Sequence, residues 1–369
     1  MKILVVIPLV YGGGAEQVAA VLSREWAREH ELRVLAYHVG ADQLDFGVAV
    51  ENLAMPAQSG FWSRVKMAWR RVVAVRRVVR DFSPDVVMAF MDEAGMVCAL
   101  AGHRDGWLGR LVVSVHHNPQ WLGRGRRLLL ALFYRLPAVV VAVSQGVHDE
   151  LAASLKLPRK CLTHIPNPLV LRDDDGLAES RAQVARLPER FILFVGRLDW
   201  QAKGLDVLLE AYAGMPAGRL PLVIVGDGSG RAQLMAEIAQ RGLQGEVFPV
   251  GWARDPQPFY RHAALFVMSS RFEGWSNVLM EAMGQGCLVV ATRCPYGPPE
   301  ILGPDLQDLL VPVADAAALS VAMQRQLALD SSEKAALQAR LQARAMSFAA
   351  PAVAQRWITL AAQLLETRR

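Results

Sequence analysis

The segment SSRFEGWSNVLMEAMGQG, residues 269–286, carries two glutamates, Glu273 and Glu281, with seven residues between them. Carboxylates are seldom buried without a partner, yet this stretch lies between two apolar runs, AALFVMSS and GCLVVATR. Ser276 reads as an N-cap and Asn277 as the start of a helix running to about Gln285. On a 3.6-residue wheel Val278, Leu279, Ala282 and Met283 form the buried stripe, while Asn277, Glu281 and Gly284 share another face. Glu273 approaches the same helix start from the preceding turn. Unpaired N–H groups at a helix N-terminus favour a phosphate, and two carboxylates beside it accept hydrogen bonds from sugar and ribose hydroxyls. The bland alternative is a loop glutamate and a solvated helix glutamate.

Cations stand at a second place. In FVGRLDWQAKGLDVLLEAY, Arg197 directly follows an apolar run and Lys203 lies six residues on, before Gly204. Together they suit a pyrophosphate, Arg as a fork and Lys as a point charge; either alone reads as a solvated surface cation. Gly12, Gly13 and Gly14 separate the first strand from a helix beginning near Ala15, and GDGSG, Gly226 to Gly230, follows another strand. Both are suited to phosphate or to a tight turn, and GGGAEQ lacks the dinucleotide-binding glycine spacing. SVHHNP places His116 and His117 at a strand end, where a satisfied structural histidine is the default.

Parallel strands must position these groups. KILVVIPLV, PDVVMAF, GRLVVSVHH, AVVVAVS, RFILFVGRL, LPLVIVGDG, GEVFPVGW, AALFVMSS and GCLVVATR read as strands alternating with amphipathic helices. That pattern indicates parallel sheets covered on both faces. HIPNPLVLRDDDGLAES reads as a linker between two doubly wound α/β domains, residues 1–170 and 185–345, followed by a helical segment 346–369 in which Pro351 marks a start or a kink. In open parallel sheets, ligands sit at the carboxyl ends of strands, where the residues above fall.

These motifs occur in one order along nearly the whole chain: GGGAEQV, VSQGVHDEL, IPNPL, VGRLDWQAKG, VIVGDGSGR and Glu-x7-Glu. The sequence resembles the retaining GT-B glycosyltransferases of family 4, of the bacterial surface-polysaccharide type. The resemblance implies two Rossmann-like domains facing each other across a cleft, with a C-terminal helix crossing back to the N-terminal domain. It implies a nucleotide-sugar donor whose diphosphate is neutralised by Arg197 and Lys203, with Glu273 on the donor sugar and Glu281 on the ribose. Backbone groups near Asn277, Val278 and Gly226, with Gly13 and Gly14, would complete the phosphate cradle. His116 corresponds to the family's strand-end histidine, with His117 as the nearby alternative. It implies transfer with retention and no metal cofactor. The run Asp173-Asp174-Asp175 is expected to be a solvated charge run rather than a metal site. CPYGPPEIL resembles a variant loop associated with UDP-hexoses or UDP-N-acetylhexosamines, and GDP-mannose stays open beside UDP.

The chain of 369 residues has net charge +5, with +6 in residues 1–170 and −1 in the rest. The excess lies largely in FWSRVKMAWRRVVAVRRVVRDF and WLGRGRRLLLALFYRL. A basic amphipathic helix fits an anionic membrane surface and a lipid-linked saccharide acceptor; a core-packed helix with a charged outer face fits equally. No nucleic-acid module accompanies these charges. MKILVVIPLV reads as a first strand rather than a secretory signal. No run reaches the ~20 apolar residues of a membrane span, and four separated cysteines fit reduced thiols. The expected location is the cytoplasm, either free or at the inner face of the cytoplasmic membrane. A nucleotide-sugar epimerase, a phosphorylase or a non-catalytic nucleotide-sugar-binding protein remain the other classes with this architecture.

Overall fold

The computed structural model describes residues 1–40, 43–57, 59–171 and 178–367. The chain divides into two units, Met1–Val170 with Phe348–Arg369, and Leu171–Ser347. The aspartate run 173–175 lies outside the described residues.

Among the described residues the first unit holds seven strands: β1 (Lys2–Leu9), β2 (Glu31–His38), β3 (Val50–Asn52), β4 (Val86–Phe90), β5 (Leu111–Val115), β6 (Val139–Ala142) and β7 (Leu162–His164). They pair in the order β3-β2-β1-β4-β5-β6-β7, every ladder parallel. Every residue of β4, β5 and β6 is buried, as continuous apolar runs require of strands covered on both faces. The helix Ala350–Glu366 belongs to this unit. Pro351 sits in its first turn, where the absent N–H breaks no helical bond, so it marks a start and not a kink. Val353, Ala354, Trp357 and Ala361 enter the core. The Trp357 ring stacks on Phe90 at 5.7 Å between centroids, and Trp26 Nε1 donates to the Ala354 carbonyl at 3.3 Å. Burying a large apolar side chain contributes ~1.5–3 kcal/mol, so this helix is part of the unit's core.

The second unit holds β8 (Phe191–Val195), β9 (Leu222–Val225), β10 (Val247–Gly251), β11 (Ala263–Met268), β12 (Val289–Thr292) and β13 (Leu310–Val311). The order is β10-β9-β8-β11-β12-β13, again parallel throughout. Pro249 is tolerated in β10 because that strand forms the sheet edge. All nine runs read as strands form strands; β2, β3, β7 and β13 are additional. Among the described residues no helix is long and apolar enough to cross a membrane.

Candidate functional site

In the second unit, three strand-end loops are fastened to one another. After β8 the chain turns at Asp199, whose carboxylate accepts the Ala202 N–H at 2.9 Å and starts a short helix, Trp200–Lys203. Gly204 follows with φ +60; a Cβ there would stand 2.3 Å from the Ser269 carbonyl oxygen. The Ser269 hydroxyl donates to the Lys203 carbonyl at 2.8 Å, the Arg271 N–H donates to the Ala202 carbonyl at 2.8 Å, and the Arg271 guanidinium clasps Asp206 at 2.8 and 2.6 Å. The loop after β8 is thereby locked to the loop after β11.

That lock brings Lys203 and Glu273 together, Nζ to Oε1 at 2.7 Å. The buried Ser270 hydroxyl donates to the same oxygen at 2.8 Å. Both internal bonds fall on Oε1; among the described residues none reaches Oε2. Glu273 is buried, so a charge-paired carboxylate with one uncommitted oxygen faces whatever enters beside Lys203.

Four residues after Glu273 the helix Asn277–Gly284 begins. Ser276 occupies the N-cap position but does not cap; its hydroxyl donates to Met268 Sδ at 3.1 Å. The first turn is left without an N-cap side-chain bond, the kind of helix start that suits an anion. The expected buried stripe is corrected at three positions: Val278 is half-exposed, and Met280 and Glu281 are buried. The wheel assumed one buried face, whereas this helix is packed by β11, β12 and neighbouring helices beyond its first turn. Glu281 is buried in that packing and accepts from the Tyr260 hydroxyl at 3.1 Å. Burial, then the Glu281 charge, push the Tyr260 phenol well above its ordinary range, so it stays a donor.

Arg197 is exposed and has no ion-pair partner among the described residues. Gly226 serves the loop that carries it: a Cβ on Gly226 would stand 1.9 Å from the Gly196 carbonyl oxygen. Gly196 N–H donates to Val225 O at 3.0 Å, Leu198 N–H to Asp227 O at 3.0 Å and Gly230 N–H to Leu198 O at 2.8 Å. The turn reading of GDGSG thus has a concrete basis in backbone approach.

In the first unit Gly13 caps the helix Gly14–Trp26 without a side-chain bond. The buried Glu16 carboxylate folds back over it, 1.9 Å from where a Gly13 Cβ would be, so a phosphate at Gly13 and Gly14 requires Glu16 to turn away. His116 follows β5, stacks on Phe90 at 5.9 Å and shares a 2.9 Å hydrogen bond between Nε2 and the Ser114 hydroxyl. Burial, with a smaller contribution from His117, pulls its pKa down to about 3; the ring is neutral, and among the described residues its enclosed Nδ1 has no partner. His117 Nε2 lies 3.5 Å from Asp92 Oδ2.

Sequence reasoning did not single out Ser270, Tyr260 or Asp92. The first two act on Glu273 and Glu281 through tertiary contact and leave no spacing signal. Asp92 does leave one: it is the second residue after a buried strand. Among the described residues, no three His, Cys, Asp or Glu side chains stand together as a metal site.

Two parallel α/β units, the second with cations, a paired carboxylate and an uncapped helix start at its strand ends, define the GT-B class of fold. The family model for Glycosyltransferase Family 4 matches residues 12–172, and that for Glycosyl transferases group 1 matches residues 189–328. The chain thus carries a Glycosyltransferase Family 4 domain followed by a Glycosyl transferases group 1 domain. It is similar to two Campylobacter jejuni enzymes. One, N-acetylgalactosamine-N,N'-diacetylbacillosaminyl-diphospho-undecaprenol 4-alpha-N-acetylgalactosaminyltransferase, is 26% identical over 82% of this chain and 83% of that protein. The other, GalNAc-alpha-(1->4)-GalNAc-alpha-(1->3)-diNAcBac-PP-undecaprenol alpha-1,4-N-acetyl-D-galactosaminyltransferase, is 23% identical over 99% of each. The crystal structure of Anabaena HepE in complex with UDP and glucose shares the fold, with TM-score 0.82 and 20% identity over 98% of this chain and 100% of that one.

Proposed function

We propose that this glycosyltransferase moves a hexose or N-acetylhexosamine from a UDP-sugar to a lipid-linked saccharide in bacterial polysaccharide or glycan assembly, with retention and without a divalent metal. The observation that carries the reading is the Lys203–Glu273 pair, locked on two strand-end loops, with Arg197 on the same loop as Lys203 and an uncapped helix start four residues after Glu273. Lys203 and Arg197 neutralise the diphosphate and take up the charge that develops as the glycosidic bond breaks. Well-placed groups of this kind each contribute ~10²–10³ in rate. Glu273 Oε2 accepts from a donor-sugar hydroxyl, and Glu281 from the ribose. The acceptor hydroxyl attacks the face the diphosphate leaves. His116, Gly13 and Gly14 are the first unit's candidate donor contacts in this reading.

Other proteins' names support the substrate classes. Both Campylobacter relatives are named for undecaprenyl diphosphate-linked acceptors and α linkages, and Anabaena HepE was solved with UDP. A lipid-linked acceptor calls for a surface that meets the inner face of the cytoplasmic membrane. The helix Phe61–Phe82, with Phe61, Trp62 and Trp69 exposed among cations, supplies one.

The test is a thermal-shift screen across UDP-, GDP- and ADP-sugars, because selective binding raises stability by mass action. UDP-sugars should raise Tm above the others; a response confined to GDP- or ADP-sugars sinks the base assignment. Full transfer in excess chelator is expected, and activity lost with chelator and restored by magnesium sinks metal independence.

A further inference from the structure

The first unit has a strand-end carboxylate that the reaction scheme above leaves unused. Met91, directly after β4, holds φ +73, a left-handed backbone that a residue with a side chain keeps only when its surroundings enforce it. Asp92 comes next and is 4% exposed. Its Oδ1 accepts from the buried Tyr134 hydroxyl at 2.5 Å, and its Oδ2 accepts from Arg126 Nη2 at 3.1 Å. With both oxygens so engaged, Asp92 does not need a third partner to be stable. Yet His117 Nε2 is enclosed 3.5 Å from Oδ2, without the alignment of a hydrogen bond.

The consequence falls on the other side of the ring. A carboxylate beside Nε2 favours the tautomer with its proton there, which leaves Nδ1 with a lone pair. Among the described residues Nδ1 has no partner, and the His117 side chain keeps 29% of its exposure. Burial and Arg126 lower the His117 pKa against the opposing pull of Asp92, so the ring is neutral. A neutral imidazole nitrogen backed by a carboxylate disfavours a phosphate and accepts a hydrogen bond from a hydroxyl. His116 differs in kind, since its Nε2 is taken by Ser114.

We propose that Asp92 and His117 form a hydroxyl-binding site for the acceptor saccharide, in which His117 Nδ1 accepts a hydrogen bond from a sugar hydroxyl. Asp92 is a positioning residue whose charge biases the imidazole tautomer, and Tyr134 and Arg126 hold Asp92. The ligand class rests on the glycosyltransferase reading above.

The experiment uses the full chain, with octyl α- and β-glycosides of glucose, galactose, N-acetylglucosamine and N-acetylgalactosamine as probes, followed by saturation-transfer NMR. A parallel thermal shift with UDP reports the donor side. At least one glycoside should bind the wild type, and His117→Ala should weaken it about three- to tenfold, the worth of one hydrogen bond, with the UDP shift unchanged. Asp92→Asn should weaken it in the same direction; because that site is buried, substitution of the partly exposed His117 is the decisive measurement. The proposal is overturned if no glycoside binds the wild type, if His117→Ala binds as well as the wild type, or if His117→Ala loses glycoside and UDP together. A wild type that binds glycosides through His117 but ignores UDP supports this site and sinks the donor assignment instead.

Discussion

Lys203 Nζ lies 2.7 Å from Glu273 Oε1, across two loops that follow β8 and β11. Their side chains retain 20% and 10% of their exposure, so the pair is shielded but not sealed. Removing one partner of a buried pair costs ~3–5 kcal/mol, which partial exposure reduces here to about 2–3 kcal/mol. Lys203→Met should lower stability by that amount and abolish most UDP affinity. Adding Glu273→Gln should recover part of the stability but none of the affinity. Urea denaturation and UDP titration of the single and double variants measure both, and additive stability losses would mean the pair is not coupled.

Gly226 and Gly204 are where backbone meets backbone. A Cβ would stand 1.9 Å from Gly196 O in one case and 2.3 Å from Ser269 O in the other, at φ +142 and φ +60. Neither carbonyl can retreat without breaking the ties that hold Arg197 and Lys203 in place. Gly226→Ala and Gly204→Ala should each cost more than ~2 kcal/mol. Gly12→Ala, at φ +75 with nothing within 4 Å, should cost only the left-handed penalty of about 1 kcal/mol. Chemical denaturation of the three variants checks the ranking.

His116 predicts an acid limb of stability. Its folded pKa of about 3 lies below the ordinary 6.5, so between these values the unfolded chain binds the extra proton. Stability from this group is complete above about pH 6.5 and declines as pH falls, by about 1.4 kcal/mol per unit for one proton. His164, held down to about 4 by burial and then by Arg356 and His148, adds to the same slope. Denaturation between about pH 4.5 and 6.5 should show His116→Gln with a slope roughly one proton shallower. An unchanged slope would mean His116 already titrates normally.

How far the sequence reveals these features follows from the range of each interaction. Buried strands such as β4 and β8 announce themselves as unbroken apolar runs. The edge strand β3, three residues with Glu51 and Asn52 exposed, and the two-residue β13 have no such run to show. Arg197, Lys203, Glu273 and Glu281 stand out in the sequence because strand ends and fixed spacing mark them, and of these the structure pairs Lys203 with Glu273. Ser276 misled for a physical reason: an N-cap residue can spend its hydroxyl elsewhere, and here Met268 receives it. Tyr260 and Ser270 stay invisible because their partners are fixed by tertiary packing, not by distance along the chain.

The basic helix Phe61–Phe82 carries two faces that the sequence left undecided. One is core: Arg71 is buried, pairs with Glu93, donates to the Met55 carbonyl at 2.6 Å and stacks over Tyr37, while Arg76 clasps Asp105 at 2.9 and 2.6 Å. These cations are committed internally, which corrects any reading that counts every arginine toward a partner. The other face is open. Phe61 is 65% exposed and Trp62 80%, and Arg64, Lys66 and Arg70 have no ion-pair partner among the described residues. Lys66, Trp69, Arg70, Val73 and Arg77 also line a groove of about 880 Å³ against β2 and β3. Three cations at ~1 kcal/mol each plus two inserted aromatic rings give reversible, salt-sensitive attachment. The chain should therefore sediment with phosphatidylglycerol vesicles at low ionic strength and release as salt shortens the screening length. Trp62→Ala and Lys66→Glu/Arg70→Glu should each reduce the bound fraction, whereas Arg76→Ala should lower stability without that selective loss. Equal sedimentation of all variants, or binding to neutral vesicles alone, would remove this surface from the proposal.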